Sequence, residues 1–221
     1  MLTEVERAEG YVEYESAPDA SVSYKERRKN HGFVFSFGYD SYFPRNFISL
    51  LDNDLYENVY GKNDINFYQL QMGYKYNFML GSFGVSAIYA DGRANAINSI
   101  EDRKIIFEKY GIGASYWMDN LFSEPLVVPY GSIQGWVMDV TEKSKVDSFS
   151  GRTKTGLAFT VGALIQLNRL DEESARTAYM MWGLENAYLD IYAVQYENTE
   201  SSSDPYLESD LNYGVGLKLE F

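Results

Sequence analysis

From Phe33 to the end of the chain, apolar residues recur at every second position in short runs, separated by polar or glycine-containing stretches. A period of two marks an extended strand with one apolar face, because successive side chains of a strand point to opposite sides. Phe33, Phe35, Phe37 and Tyr39 alternate with Val34, Ser36, Gly38 and Asp40. The second run sets Tyr68, Leu70, Met72, Tyr74, Tyr76 and Phe78 against Gln69, Gln71, Gly73, Lys75 and Asn77. A tight turn at Leu80-Gly81-Ser82 leads to the third, with Phe83, Val85, Ala87 and Tyr89 on one face. The fourth, over 105–118, directs Ile106, Tyr110, Ile112, Ala114 and Tyr116 to the apolar side and Lys109 to the other, with Glu108 the misfit.

The fifth run, 126–140, has apolar residues on both faces, and Gln134 decides its orientation. An amide in mid-strand is costly in hydrocarbon, so Tyr130, Ser132, Gln134 and Trp136 are assigned inward. A sixth run covers 155–166, and the seventh places Leu189, Ile191 and Ala193 opposite Tyr188, Asp190 and Tyr192. The eighth ends the chain: Leu211, Tyr213, Val215, Leu217, Leu219 and Phe221 form one unbroken apolar face. Runs of about ten residues match what a tilted strand needs to cross a bilayer. The connections support this independently. Those after strands one, three, five and seven are long and polar (141–153 among them), and those after two and four are short. Asp171 to Arg176, after the sixth strand, reads as one or two helical turns.

These patterns predict an all-β chain, an eight-stranded antiparallel up-and-down transmembrane β-barrel over 31–221 preceded by a periplasmic amino-terminal arm over 1–30. A soluble barrel would invert the faces. The row carrying Gly38, Gly73, Gly84, Gly111, Gly113, Gly156, Gly162, Gly214 and Gly216 would then face water, whereas small residues suit the cramped interior of a narrow barrel. The arm is acidic at first and turns basic at Lys25, Arg27, Arg28 and Lys29, a cluster that suits either lipid phosphates or solvent.

The final strand, with Tyr213, Val215, Leu217, Leu219 and Phe221, resembles the terminal strand of bacterial outer-membrane barrel proteins. That resemblance implies an insertion signal read by the barrel-assembly machinery. Over Phe33 to Phe221 the pattern resembles small Gram-negative outer-membrane barrels of the OmpA transmembrane-domain, OmpX and OmpW class. It implies outer-membrane lipid and lipopolysaccharide as surroundings, with both termini periplasmic.

Composition narrows the chemistry. Among 221 residues there is no cysteine, which removes disulfide scaffolds, zinc-thiolate sites and thiol catalysis. Twenty Tyr and 13 Phe are what a membrane–water interface favours. A net charge of −13 argues against nucleic acid as a partner. The mean hydropathy of −0.34 excludes nothing, since a barrel gives lipid only every second strand residue. No signal-peptide pattern follows Met1, so an exported protein is expected to be numbered in mature form.

The interior of an eight-stranded barrel holds little beyond its own side chains. Asp40, Lys75, Lys109, Gln134, Asp190, Lys218 and Glu220 are expected there as a polar cluster whose charges must pair. His31, the single histidine, lies before the first strand with no Ser, Asp or Glu pattern around it. No catalytic residue, metal ligand or cofactor site is therefore assigned, and the chain is read as non-enzymatic, a structural or surface-interaction protein acting through its outer loops. Lipid modification is the remote alternative. Phe43, Phe47, Ile48, Leu50 and Leu51 make the first loop unusually apolar. They could serve as a lid, dock an unknown surface partner, or open a conduit for a small apolar ligand as in the OmpW class.

Overall fold

The computed structural model describes residues 28–62, 64–97, 102–123 and 125–221; the arm expected over 1–30 falls outside them up to Arg27. In chain order the elements are β1 (His31–Tyr42), α1 (Tyr56–Tyr60), β2 (Ile65–Phe78), β3 (Gly81–Asn95), β4 (Lys104–Trp117), β5 (Val127–Lys143), β6 (Ser148–Arg152), β7 (Gly156–Gln166), α2 (Glu172–Trp182), β8 (Asn186–Tyr196) and β9 (Asn212–Glu220). Strands adjacent in sequence pair antiparallel, except that β6 and β7 both pair with β5, and β1 pairs β9 to close the sheet on itself. Closure abolishes the free edge that a terminal strand would otherwise present.

β6 and β7 are two stretches of one barrel strand, which makes eight strands in the wall. Arg152 faces Asp139 and Gly156 faces Trp136, so the β6–β7 side carries one residue more than β5. That is a bulge. Thr153 fills it by donating its N–H to the Met138 carbonyl at 2.9 Å while its Oγ1 accepts from the Met138 N–H at 3.0 Å. Beyond the bulge, β5 and β6 project as a hairpin where a polar loop over 141–153 was expected. β6 holds one large apolar residue, Phe149, and pairs such as Thr141 with Ser150 at 3.0 Å are polar, so no hydrophobic alternation marked it. α1 was likewise unforeseen, and α2 runs six residues past the expected Arg176 to Trp182.

The stagger of the wall follows from the pairing. A walk from Asn77 through Ser82, Trp117, Tyr130, Gly162, Tyr192 and Gly214 to Asp40 returns to β2 at Phe67, ten residues from its start. Ten residues of stagger over eight strands, at about 3.3 Å rise and about 4.8 Å strand spacing, tilt the strands by about 40°.

Every strand keeps the predicted facing, β5 included: Gln134 and Trp136 are buried inside and Ile133 is exposed outside. Phe33, Phe37, Met72, Ile112, Val161 and Leu217 belong to an outward apolar surface running round the wall. The inward small residues have a packing role. A side-chain carbon on Gly156 would lie 2.3 Å from the Trp136 ring, and one on Gly214 2.3 Å from Tyr192. Each ring thus lies flat over a glycine of the neighbouring strand, which lets large aromatics share a narrow interior. Glu108 is accommodated on the outer face near the loop end, where it accepts from the Tyr89 hydroxyl at 3.4 Å.

Candidate functional site, the polar interior and its cap

Seven inward residues were expected to form a polar cluster, and the stagger distributes them over three levels. At the end carrying the short turns, Arg28 and Phe221, Lys75 reaches Glu220 at 2.6 Å and Asp119 at 3.0 Å. Arg28 enters from the described edge of the arm and donates to Asp119 at 2.7 Å and to the Phe78 carbonyl. The second oxygen of Glu220 accepts from Asn186 at 3.1 Å and from Tyr188 at 3.3 Å. Two cations and two carboxylates, all nearly fully buried, neutralise each other there. Burying any one alone would cost several kcal/mol. Arg28 thus points into the barrel, whereas the sequence left its basic cluster to lipid or solvent.

One level further in, Lys218 pairs with Asp190 at 3.1 Å, and Tyr130 donates to the same carboxylate at 2.8 Å. The Lys218 ammonium also lies 4.6 Å from the Tyr130 ring centre. On the strands that follow β9 round the wall, Ser36, the register partner of Lys218, donates to Gln71 at 3.1 Å and Gln71 to Ser86 at 2.6 Å. Near the loop end, Lys109 donates to the Tyr196 hydroxyl at 2.6 Å, which donates to Asp40 at 2.9 Å. The Asp40–Lys109 pairing is therefore relayed through a phenol. Tyr196 was missed because the seventh run was read only as far as Ala193, although Val194 and Tyr196 continue its inward parity.

Between these levels lies a cavity of about 30 Å³ whose lining includes Asp40, Gln134, Thr160 and Tyr192. Each of these four contributes a buried polar atom without a protein partner among the described residues. A polar space of that size accommodates about two water molecules. A second space, of about 10 Å³, lies beside Lys75 and Trp117.

The loop end is covered by an aromatic layer. Tyr42 packs on Phe67 at 5.0 Å and on Tyr196 at 5.2 Å, and Phe47 from the first loop packs on Phe107 at 5.7 Å. Phe47 has no exposed surface, Phe43 and Leu50 are partly buried against the same core, Leu51 is half-buried, and Ile48 is exposed. Above this layer Arg103 ties the first loop to the wall. It donates to Glu142 on β5 at 2.8 Å and to Asp52 at 2.5 and 3.1 Å. Glu142, fully buried, also accepts from Tyr60 at 2.6 Å and from the Leu50 N–H at 2.7 Å. The guanidinium hydrogen bond holds the Asp52 carboxyl below the usual carboxylate range, and Arg103 is raised in return. Burial, then the hydrogen bond to Glu142, pushes the Tyr60 phenol up. Sequence reading missed this knot, because charged residues in polar stretches look solvated until the loop folds back.

His31 is exposed at the start of β1, with its ring against Tyr74 and Tyr76. Among the described residues no group of three potential metal ligands converges, and no helix is long and apolar enough to cross a membrane.

The architecture is that of a small closed up-and-down β-barrel with paired charges on its inner face. No protein-family model and no curated protein sequence matches the chain. Solved structures with similar architecture are the outer membrane protein OprG of Pseudomonas aeruginosa (15% identity, 88% of this chain and 97% of that one, TM-score 0.48), the amino-terminal β-barrel domain of OprF from the same organism (13%, 87% and 98%, 0.47), and the attachment invasion locus protein Ail of Yersinia pestis (15%, 86% and 97%, 0.45).

Proposed function

We propose that this chain is an integral outer-membrane barrel without enzymatic activity, its interior plugged by its own side chains, that works as a structural or surface-interaction protein through its loop end. The observation that carries the proposal is the combination of an apolar outer face on all eight strands with charged residues paired inside. Water would penalise the first arrangement and hydrocarbon rewards it. Outer-membrane lipid and lipopolysaccharide are then its surroundings, both termini face the periplasm, and the apolar face ending at Phe221 is the segment the assembly machinery reads.

Burial of Phe47 under the Arg103–Glu142 knot supports a capped barrel over a conduit for a small apolar ligand. Surface contact is then left to the exposed parts of the loops, among them Ile48, the β5–β6 hairpin and the acidic 197–211 connection, with the partner's identity open. Refolding into detergent tests the membrane reading. The folded chain should show β-sheet circular dichroism and migrate differently on a gel before and after boiling. A monodisperse monomer that needs no detergent would overturn it.

A further inference from the structure

The three connections at the end bearing Arg28 and Phe221 expose large apolar side chains: Met79 and Leu80 between β2 and β3, Leu121 and Phe122 between β4 and β5, and Met181 and Trp182 on α2 between β7 and β8. Turns that project into water favour polar residues. These pairs recur round the circumference, so a protein partner docked on one side would cover one of them and leave the others wet. A medium that surrounds the wall reaches all three. One step further along the wall, Tyr74, Tyr76 and Tyr116 are exposed on the outer face, where an interfacial aromatic belt would stand.

α2 is built to lie in such a boundary. Asp171 caps it by accepting from the Ser174 N–H at 3.0 Å, and Glu172 and Glu173 occupy the first turn. Ala175, Ala178 and Tyr179, at helical spacing, are half-buried while the rest of the helix is exposed. The carboxy-terminal turn is Met180, Met181 and Trp182, and Gly183 at φ 68° stops the helix there by donating to the Tyr179 carbonyl at 2.9 Å. Trp182 is 74% exposed although Trp117 and Trp136 are buried inside the barrel. The foot of the helix is held firmly. Leu167 donates to the Ala187 carbonyl at 2.8 Å, Asn168 bridges Glu185 and Ala187, and Glu185 donates to the Glu220 carbonyl at 2.8 Å.

We infer that α2 is an interfacial anchor: its last turn, with the apolar turns of β2–β3 and β4–β5, seats in the headgroup and upper acyl region of the periplasmic phospholipid leaflet and sets the depth of the barrel. The acidic first turn remains in water. This rests on the membrane reading above, and the test separates the two.

The full chain is refolded into phosphatidylcholine vesicles, and the emission of Trp182 is obtained as the difference between the chain and Trp182→Phe, which leaves the two buried tryptophans in place. Trp182 should emit blue-shifted relative to a water-exposed tryptophan. Lipid brominated near the headgroup end of its chains should quench it at least about twofold more than aqueous iodide does. Ile112→Trp in the Trp182→Phe background reports on the outward wall. If that tryptophan is quenched by brominated lipid while Trp182 emits to the red and yields to iodide, the barrel is inserted and the anchor is refuted. If neither responds to brominated lipid, the membrane reading fails and the anchor with it.

Discussion

Residue by residue, the side of the wall on which a side chain sits decides what it tolerates. Ile112 is 74% exposed on the outer face while its neighbour Gly111 faces in, and Lys109, two places further on the inner row, is fully buried with Tyr196 and Gln69 as partners. Ile112→Lys should therefore cost about 2–4 kcal/mol of unfolding free energy in vesicles, as lipid-facing charges near the bilayer midplane do. Ile112→Leu should be nearly neutral. Urea titration of refolded protein measures both, and a neutral Ile112→Lys would mean that this face meets water. The inner row obeys another constraint. Lys75, Lys218 and Lys109 are each held by a carboxylate, directly or through one hydroxyl, so each is one half of a unit whose other half lies on a different strand. Removing one member leaves a buried charge without compensation, and that is costlier than the pair is worth.

At the level of elements, the first loop covers the mouth and the terminal strand closes the wall, and they do so in different ways. The first loop is a cap fastened by charge. With its pKa depressed by Arg103, Asp52 contributes its share of the closure above the ordinary carboxylate pKa and loses it only as pH falls through the lower, folded value. Amide exchange protection of the Tyr56–Tyr60 helix should therefore be flat from about pH 8 to about pH 5. Glu142→Gln, which neutralises the buried carboxylate that receives Arg103 and Tyr60, should lower it across that whole range. The terminal strand closes by backbone. Phe221 exchanges two hydrogen bonds with Phe33, at 2.8 and 2.9 Å, and its ring is part of the outer apolar face. Deleting Phe221 removes about one to three kcal/mol of burial and pairing. Assembly in cells should suffer more than stability in detergent, and equal losses in the two assays would show that Phe221 acts through packing alone.

For the whole molecule, the stagger of ten residues over eight strands governs both width and content. It sets a narrow interior in which spaces of about 30 and 10 Å³ lie between the inward side chains, the smaller beside Lys75, and the plugged interior proposed above predicts no passage for solutes. Vesicles containing the protein should accordingly swell no faster in small sugars than empty vesicles do. The Glu142→Gln variant should behave the same, because the Lys75–Glu220–Asp119 cluster still occupies the opposite end. Sugar uptake through the unaltered chain would refute the plugged interior.

Facing was determined by the sequence alone, because a strand's period of two is local. Phe33, Phe35, Phe37 and Tyr39 can only share one side, and Gln134 was enough to orient a strand with apolar residues on both. The strand count and the inward placement of Asp40, Lys75, Lys109, Asp190, Lys218 and Glu220 follow from the same rule. Partnership was decided by the tertiary structure. Lys75 meets Glu220 across 145 positions of chain and Asp40 meets Lys109 through Tyr196 because the stagger brings those heights together. A periodicity carries no information on stagger between strands. A lid was among the readings open to the apolar first loop, but its fastening was illegible: Arg103, Asp52 and Glu142 lie where charge normally means solvent, and only the folding of that loop over the mouth converts them into a buried knot.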